Sequence, residues 1–145
     1  MPKLIAIGFK PIKKGPMTLV EMAQVTQAAG VEHDCFGRPG KRQVTVMSLE
    51  QWNLACATID THLPWVTRRA NLLIEGHIFS AADKGKRLQI GDLALEITGE
   101  TDPCKKMEIA QAGLEQALIP DWRGGVTCRV LHDAKITIGD DISFS

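Results

Sequence analysis

Short runs of Val, Ile and Leu, most of them alternating with polar residues and closed by Gly, Asp or Pro, recur along the whole chain. A side-chain period of two belongs to half-buried strands, so this pattern limits the chain to a β-dominated domain. The strand candidates are Lys3 to Gly8, Thr18 to Thr26, Gln43 to Met47, Asn71 to Ile74, Arg87 to Ile90, Leu93 to Thr98 and Val126 to Leu131. Shorter closing strands are expected over Lys135 to Ile138 and Asp141 to Phe144. Gly91-Asp92 and Gly139-Asp140 carry tight-turn chemistry between neighbouring runs, and both read as hairpins.

Two segments break the period. Ser48 precedes Leu49, Trp52, Ala55 and Cys56 at helical spacing, and Ser48 with Gln51 matches a capping box. A second helix is expected from Asp102 or Pro103, with Met107, Ala110, Leu114, Ala117 and Leu118 on one face and Pro120 as its stop. Gly113 lies inside that pattern at a cost of about 1 kcal/mol relative to alanine, so the helix is expected to break there. Between Gln27 and Arg42 runs the longest irregular stretch, with Gly30, Gly37, Pro39 and Gly40 among charged residues. Long loops of this kind in small domains are commonly functional.

At 145 residues the chain fits one domain spanning 1–145, able to bury about two thirds of the surface its unfolded form exposes. Its 17 basic residues equal its 17 acidic ones, which argues against general affinity for nucleic acid or an anionic membrane. Met1 to Gly8 lacks a signal-peptide apolar region, and no apolar run approaches the roughly 20 residues of a membrane span. A cytoplasmic protein is the expectation. Cys35, Cys56, Cys104 and Cys128 are widely spaced with no Cys-x-x-Cys pair, which argues against a zinc site or a redox dithiol and for free thiols.

Among these cysteines Cys104 has the address best suited to chemistry. The run Thr98-Gly99-Glu100-Thr101-Asp102-Pro103-Cys104-Lys105-Lys106-Met107 hands a strand over to a helix, with Asp102 as expected N-cap and Pro103 at the first helical position. Cys104 is then expected in the first turn. Free backbone N–H groups, the helix dipole and two lysines all favour thiolate there, the form that attacks electrophiles and binds soft metals. Glu100 and Asp102 flank the thiol and can relay protons. Arg42, Arg68-Arg69 and Arg123 stand at strand entrances beside loops, as forked donors for phosphate or carboxylate or as solvated strand ends. Asn71, two residues after Arg69, shares its face if both are extended, and serves either the same ligand or buried backbone groups. His33-Asp34-Cys35 contains three metal-ligating types, but neighbours in an extended loop point apart.

The order of these segments resembles the MOSC domain, the module named for the C-terminal part of molybdenum-cofactor sulfurases. Gly30-Val31-Glu32-His33-Asp34, then Arg42-Gln43-Val44-Thr45 leading to Glu50, then Arg69-Ala70-Asn71-Leu72-Leu73-Ile74-Glu75-Gly76 follow one another as in that family. Gly85 with Leu88 to Gly91, Pro103-Cys104, Gly124-Gly125-Val126 through Leu131, and Ile138-Gly139-Asp140 complete the series over nearly the whole chain. Two positions depart from it: Ala70 separates an arginine and an asparagine that members often join, and His33 stands where glycine is common.

The resemblance implies a MOSC-type β-barrel of mixed and antiparallel strands with a few short helices, an α+β fold in a short stand-alone form. It implies that Cys104 either carries sulfur as a persulfide, in a sulfur carrier or transferase for a metal–sulfur cluster or the molybdenum cofactor, or ligates molybdenum of a bound molybdopterin. In the second case the protein is an oxidoreductase that reduces N-hydroxylated compounds with electrons from a partner protein. Arg42, Arg69, Asn71 and Arg123 match the positions that would hold the cofactor. A cysteine desulfurase or a cofactor-acceptor enzyme is the implied partner, and no pyridoxal phosphate site is expected because that chemistry belongs to a domain this form lacks. A non-catalytic cofactor-binding module, with Cys104 as a packing residue, is the remaining alternative.

Overall fold

Alternation along β5 (Val44–Ser48) and β6 (Leu72–Glu75) organises the molecule, seen here in a computed structural model of residues 1–145. Val44, Val46, Leu72 and Ile74 enter one apolar core, while Met47 and Leu73, one residue out of phase, enter another. The first core lies among the strands and is fed by β1 (Lys3–Phe9), β3 (Met22–Thr26), β7 (Arg87–Ile90), β8 (Leu93–Glu100) and β9 (Val126–His132). The second lies under the helices α1 (Leu49–Thr58), α2 (Lys105–Ala110) and α3 (Leu114–Leu118), with Trp52, Met107 and Leu118 at its centre. β5 and β6 pair in parallel, which requires a crossover, and α1 lies in it.

With β2 (Thr18–Val20), β4 (Gly30–Val31), β10 (Ala134–Thr137) and β11 (Ile142–Phe144), the strands form two sheets. One has eight strands in the order β11-β7-β8-β9-β5-β6-β1-β2, and the other has the order β10-β3-β4. The expected β-dominated α+β fold is present. Its sheet is not closed into a barrel: β11 and β2 remain edges, and the isolated bridge between Lys3 and Asp141 ties β1 to the chain entering β11. No helix is long and apolar enough to cross a membrane.

Most expected strands form near their expected positions, with three corrections. Thr18 to Thr26 divides at Glu21, because β2 pairs with β1 whereas β3 pairs with β10 and β4 in the other sheet. Gly91-Asp92 does join a hairpin, β7 to β8, but Gly139-Asp140 does not. That second turn closes locally, with the Thr137 N–H donating to the Asp140 carboxylate at 2.9 Å, yet β10 pairs with β3 and β11 with β7. Free strand edges on both sheets outcompete a pairing between two very short neighbours. The third is β4, a two-residue strand inside the stretch read as irregular.

Ser48 caps α1 by accepting the Gln51 N–H at 3.5 Å. The reciprocal half of the expected capping box does not form. Buried Gln51 instead donates its side-chain amide to the carbonyls of Phe79 and Asp121 and accepts the Phe79 N–H. Gly113, with φ 86°, separates α2 from α3 as its sequence position indicates.

Candidate functional site

The end of β1, the loop after β4, the entrance to β5, the approach to β6 and the start of α2 converge on one cavity of about 360 Å³. Lys10 follows directly from β1 and is buried, its backbone N–H donating to the Asp34 carboxylate at 2.9 Å and its ammonium to the Lys13 carbonyl at 2.6 Å. Asp34 and Phe36 come from the loop after β4, Arg42 and Gln43 from the entrance to β5, and Lys106 from α2. Arg69 ends a short 3-10 turn, Trp65–Arg68, in the left-handed region at φ 66°. That conformation is costly for a residue with a Cβ, and here it turns the chain so that Arg69 and Asn71 both line the cavity. They share it through this bend and not through a common strand face, since Arg69 is not extended.

Four cations, Lys10, Arg42, Arg69 and Lys106, face a single carboxylate, Asp34, around this space. None of the four stands in an ion pair. Burial, followed by the charges of Arg69 and Lys106, pushes the Lys10 ammonium below its usual value, while Cys35 and Asp34 pull the other way. A bound anion would relieve this crowding, which is the electrostatic signature of an anion site.

Asn71 acts chiefly as a brace. Its carbonyl oxygen accepts the Thr45 N–H at 3.1 Å, and its amide donates to the Gly8 carbonyl at 3.2 Å, tying the approach to β6 to both β1 and β5. One amide hydrogen is left for a ligand. Arg123 is not brought to the cavity. It donates to the Ala117 carbonyl at 3.1 Å and the Thr58 hydroxyl at 3.3 Å, joining α3 to α1.

Cys104 is a free, exposed thiol, and it does not itself line the cavity, although Lys106 two residues later does. It precedes α2 as the N-cap residue with extended backbone (φ −132°, ψ 177°), so the expected cap at Asp102 and the expected place inside the first turn are both corrected. Pro103 favours an extended Asp102, and the helix starts only after both. α2 has six residues and offers little dipole. The cation next to this segment is Arg68, expected with Arg69 as a donor at a strand entrance. Its guanidinium is buried and donates to the carbonyls of Thr101 at 3.2 Å and Asp102 at 3.5 Å, holding the segment that carries Cys104.

Burial pushes Arg68 below the usual arginine value, with Arg42 adding to this, while its neighbours Cys104 and Asp102 pull the other way. Gly124 permits this packing: a Cβ there would lie 2.4 Å from the Thr101 carbonyl oxygen and 3.4 Å from the Arg68 guanidinium. Burial, then Asp102, raises the Glu100 carboxyl above the usual carboxylate range.

Cys35 is the other exposed thiol, between the cavity residues Asp34 and Phe36, and its backbone N–H donates to the Lys10 carbonyl at 2.8 Å. Cys56 and Cys128 are buried, and burial raises both thiols. His33 is exposed, and no group of three or more His, Cys, Asp or Glu side chains comes together in the structure, so His33-Asp34-Cys35 does not converge as a ligand set. The available signal for Lys10 was a lysine continuing directly from an apolar strand into Pro11. Nothing in the local sequence distinguishes Asp34 or Phe36 as cavity residues.

A family model described as the MOSC domain matches residues 22–143. No curated protein matches the chain significantly. Among solved structures, the YuaD protein from Bacillus subtilis superposes with a TM-score of 0.83 at 18% identity, over 99% of this chain and 96% of that one. YiiM from Geobacillus stearothermophilus superposes with a TM-score of 0.77 at 16% identity, over 100% of this chain and 75% of that one. For YiiM from Escherichia coli the values are 0.72 and 14%, over 99% and 69%. At these identities the likeness is one of fold.

Proposed function

This chain belongs to the MOSC domain family, and on that premise we propose that it is a sulfur carrier or transferase for metal–sulfur cluster or molybdenum-cofactor sulfuration, with Cys104 carrying the sulfur. The observation that carries the reading is an exposed thiol on a segment anchored by a buried guanidinium, beside a cavity of four unpaired cations. In the loading step the Cys104 thiolate attacks the terminal sulfur of a donor protein's persulfide. The donor's S–S bond breaks, the new bond forms at Cys104 Sγ, the transferred sulfur keeps its proton, and the donor cysteine leaves as a thiolate. For delivery a thiolate of an acceptor protein attacks the outer sulfur of the Cys104 persulfide, the S–S bond breaks, the transferred sulfur keeps its proton, and Cys104 leaves as a thiolate. Arg68 keeps the Thr101 and Asp102 backbone in place during both exchanges, and Lys106, two residues after Cys104, favours anionic sulfur there.

Incubation with a cysteine desulfurase and cysteine, followed by intact mass measurement, tests this. One added sulfur is expected, absent in Cys104→Ser and removed by a reductant. Failure to see that adduct on the wild type would defeat the reading.

One observation favours a second reading. The cavity has the chemistry to hold molybdopterin: Lys10, Arg42, Arg69 and Lys106 suit its phosphate, Asp34 suits the N–H donors of the pterin, and Met17 and Phe36 offer apolar walls. Cys104 would supply the thiolate ligand to molybdenum. When bound, that group supplies two-electron reduction of N-hydroxylated compounds, with electrons delivered by a partner protein. Protein from molybdate-fed cells should then contain about one molybdenum per chain, measured by plasma mass spectrometry. A content far below that, with no pterin fluorescence after oxidation, rejects this second reading.

A further inference from the structure

We propose that the face surrounding the cationic cavity, which Lys106 lines two residues after Cys104, is a docking surface for a partner protein that presents acidic side chains around a small apolar contact. The proposal deepens the sulfur-carrier reading and rests on it for the partner's purpose, because a persulfide donor must bring its own cysteine to Cys104. The surface itself is argued from charge and exposure. Although the chain's formal charge is zero, its cations are not spread evenly. The cavity shares Met17, Arg69 and Lys106 with a neighbouring groove, and Phe36 and Arg42 with a second depression that adds Arg38 and Lys41. These three hollows form one continuous band. Lys10, Arg38, Lys41, Arg42, Arg69 and Lys106 all lie along it, and none is within ion-pair distance of a carboxylate. Unpaired cations gathered on one face leave a positive field that steers an acidic partner and sets its orientation.

Apolar exposure decides between kinds of polyanion. Ile12, in the loop joining Lys10 to Met17, is 68% exposed; Phe36 is 46% exposed; Ile109, on the helix that follows Cys104, is 85% exposed. Ile12 packs beside Gly15 of the neighbouring groove and Ile109 stands one helical turn from Lys106, so these apolar side chains border the cationic band, as in a protein-binding patch. A nucleic-acid backbone is held by cations and polar donors, and isoleucines do nothing for it. The observations therefore favour a protein.

Fluorescence anisotropy with a labelled peptide alternating glutamate and leucine, and with an oligothymidylate of matched charge, tests the proposal. The variants are Arg38→Glu with Lys41→Glu, Ile109→Ser, Cys104→Ser, and Lys3→Glu at the opposite end of β1; all of these side chains are exposed. Peptide binding is expected to weaken at least about tenfold on double charge reversal and several-fold on Ile109→Ser, and to remain unchanged in Lys3→Glu and Cys104→Ser. Equal or tighter binding of the oligonucleotide, indifferent to Ile109→Ser, would overturn the proposal in favour of a phosphate-binding face. Absence of peptide binding, or equal loss in Lys3→Glu, would overturn it as well. Peptide binding without persulfide formation would leave the docking surface standing and remove the sulfur reading; persulfide formation without peptide binding would do the reverse.

Discussion

Single side chains divide here into those that hold the site and those that face it, and Asn71 belongs to the first group. Its amide serves Thr45 and Gly8 on two different strands. Asn71→Ala is expected to cost about 2–6 kcal/mol, because one buried and one partly buried backbone group lose their partner at about 1–3 kcal/mol each. Urea unfolding followed by circular dichroism measures it, and unchanged stability would show that water replaces the amide. Asp83 provides a pH-dependent counterpart away from the cavity. Burial raises its carboxyl, but the bonds from His77 and the Ser80 N–H outweigh this and hold it below the ordinary value. A lowered folded value means that the unfolded chain takes up the proton first, so this stabilisation is full above the ordinary aspartate range and lost as pH falls through the folded value. Asp83→Asn should therefore be less stable than wild type at neutral pH, with the gap closing below about pH 4. A gap that persists in acid would mean that the carboxylate charge is not what His77 and Ser80 recognise.

Elements rather than residues decide where Cys104 sits. A strand, β8, runs into a segment clamped between Arg68 and Gly124, and α2 begins only afterwards. Gly124→Ala would drive a methyl into the Thr101 carbonyl, and overpacking of this sort costs about 1–3 kcal/mol. Loss of stability in urea and slower sulfur loading at Cys104 are expected together; loading at the wild-type rate in the destabilised variant would show that this clamp does not position the thiol. The strand-to-helix handover was legible in the sequence, because Pro103 and the apolar periods on either side mark it locally. The helix starts two residues later than expected, which puts Cys104 at the N-cap in place of Asp102. Its neighbours from residues 68 and 124 are distant in sequence, so their clamp could not be read from residues 98 to 107.

Across the whole molecule, positive charge collects around one cavity in a chain of zero formal charge. Inorganic phosphate or molybdate should raise the melting temperature of the wild type, by the equivalent of about 2.7 kcal/mol at a concentration a hundred times Kd. Arg69→Ala should lose most of that increment while keeping its own basal transition, as scanning fluorimetry would report; an equal increment in both would place the anion elsewhere. The sequence by itself determined the β-dominated class, the two helical interruptions, the break at Gly113 and the family. Each depends on periodicity, turn chemistry or ordered motifs within short windows. It also marked Arg42, Arg69 and Asn71, because loop-to-strand entrances are visible locally. Only the tertiary structure decided that Lys10, Asp34, Phe36 and Lys106 join them, that Arg123 does not, and that Gly139-Asp140 sends its flanking strands into different sheets. Strand pairing is a competition among edges far apart in the chain, and a cavity is the space those pairings leave, so neither is encoded in any one stretch of residues.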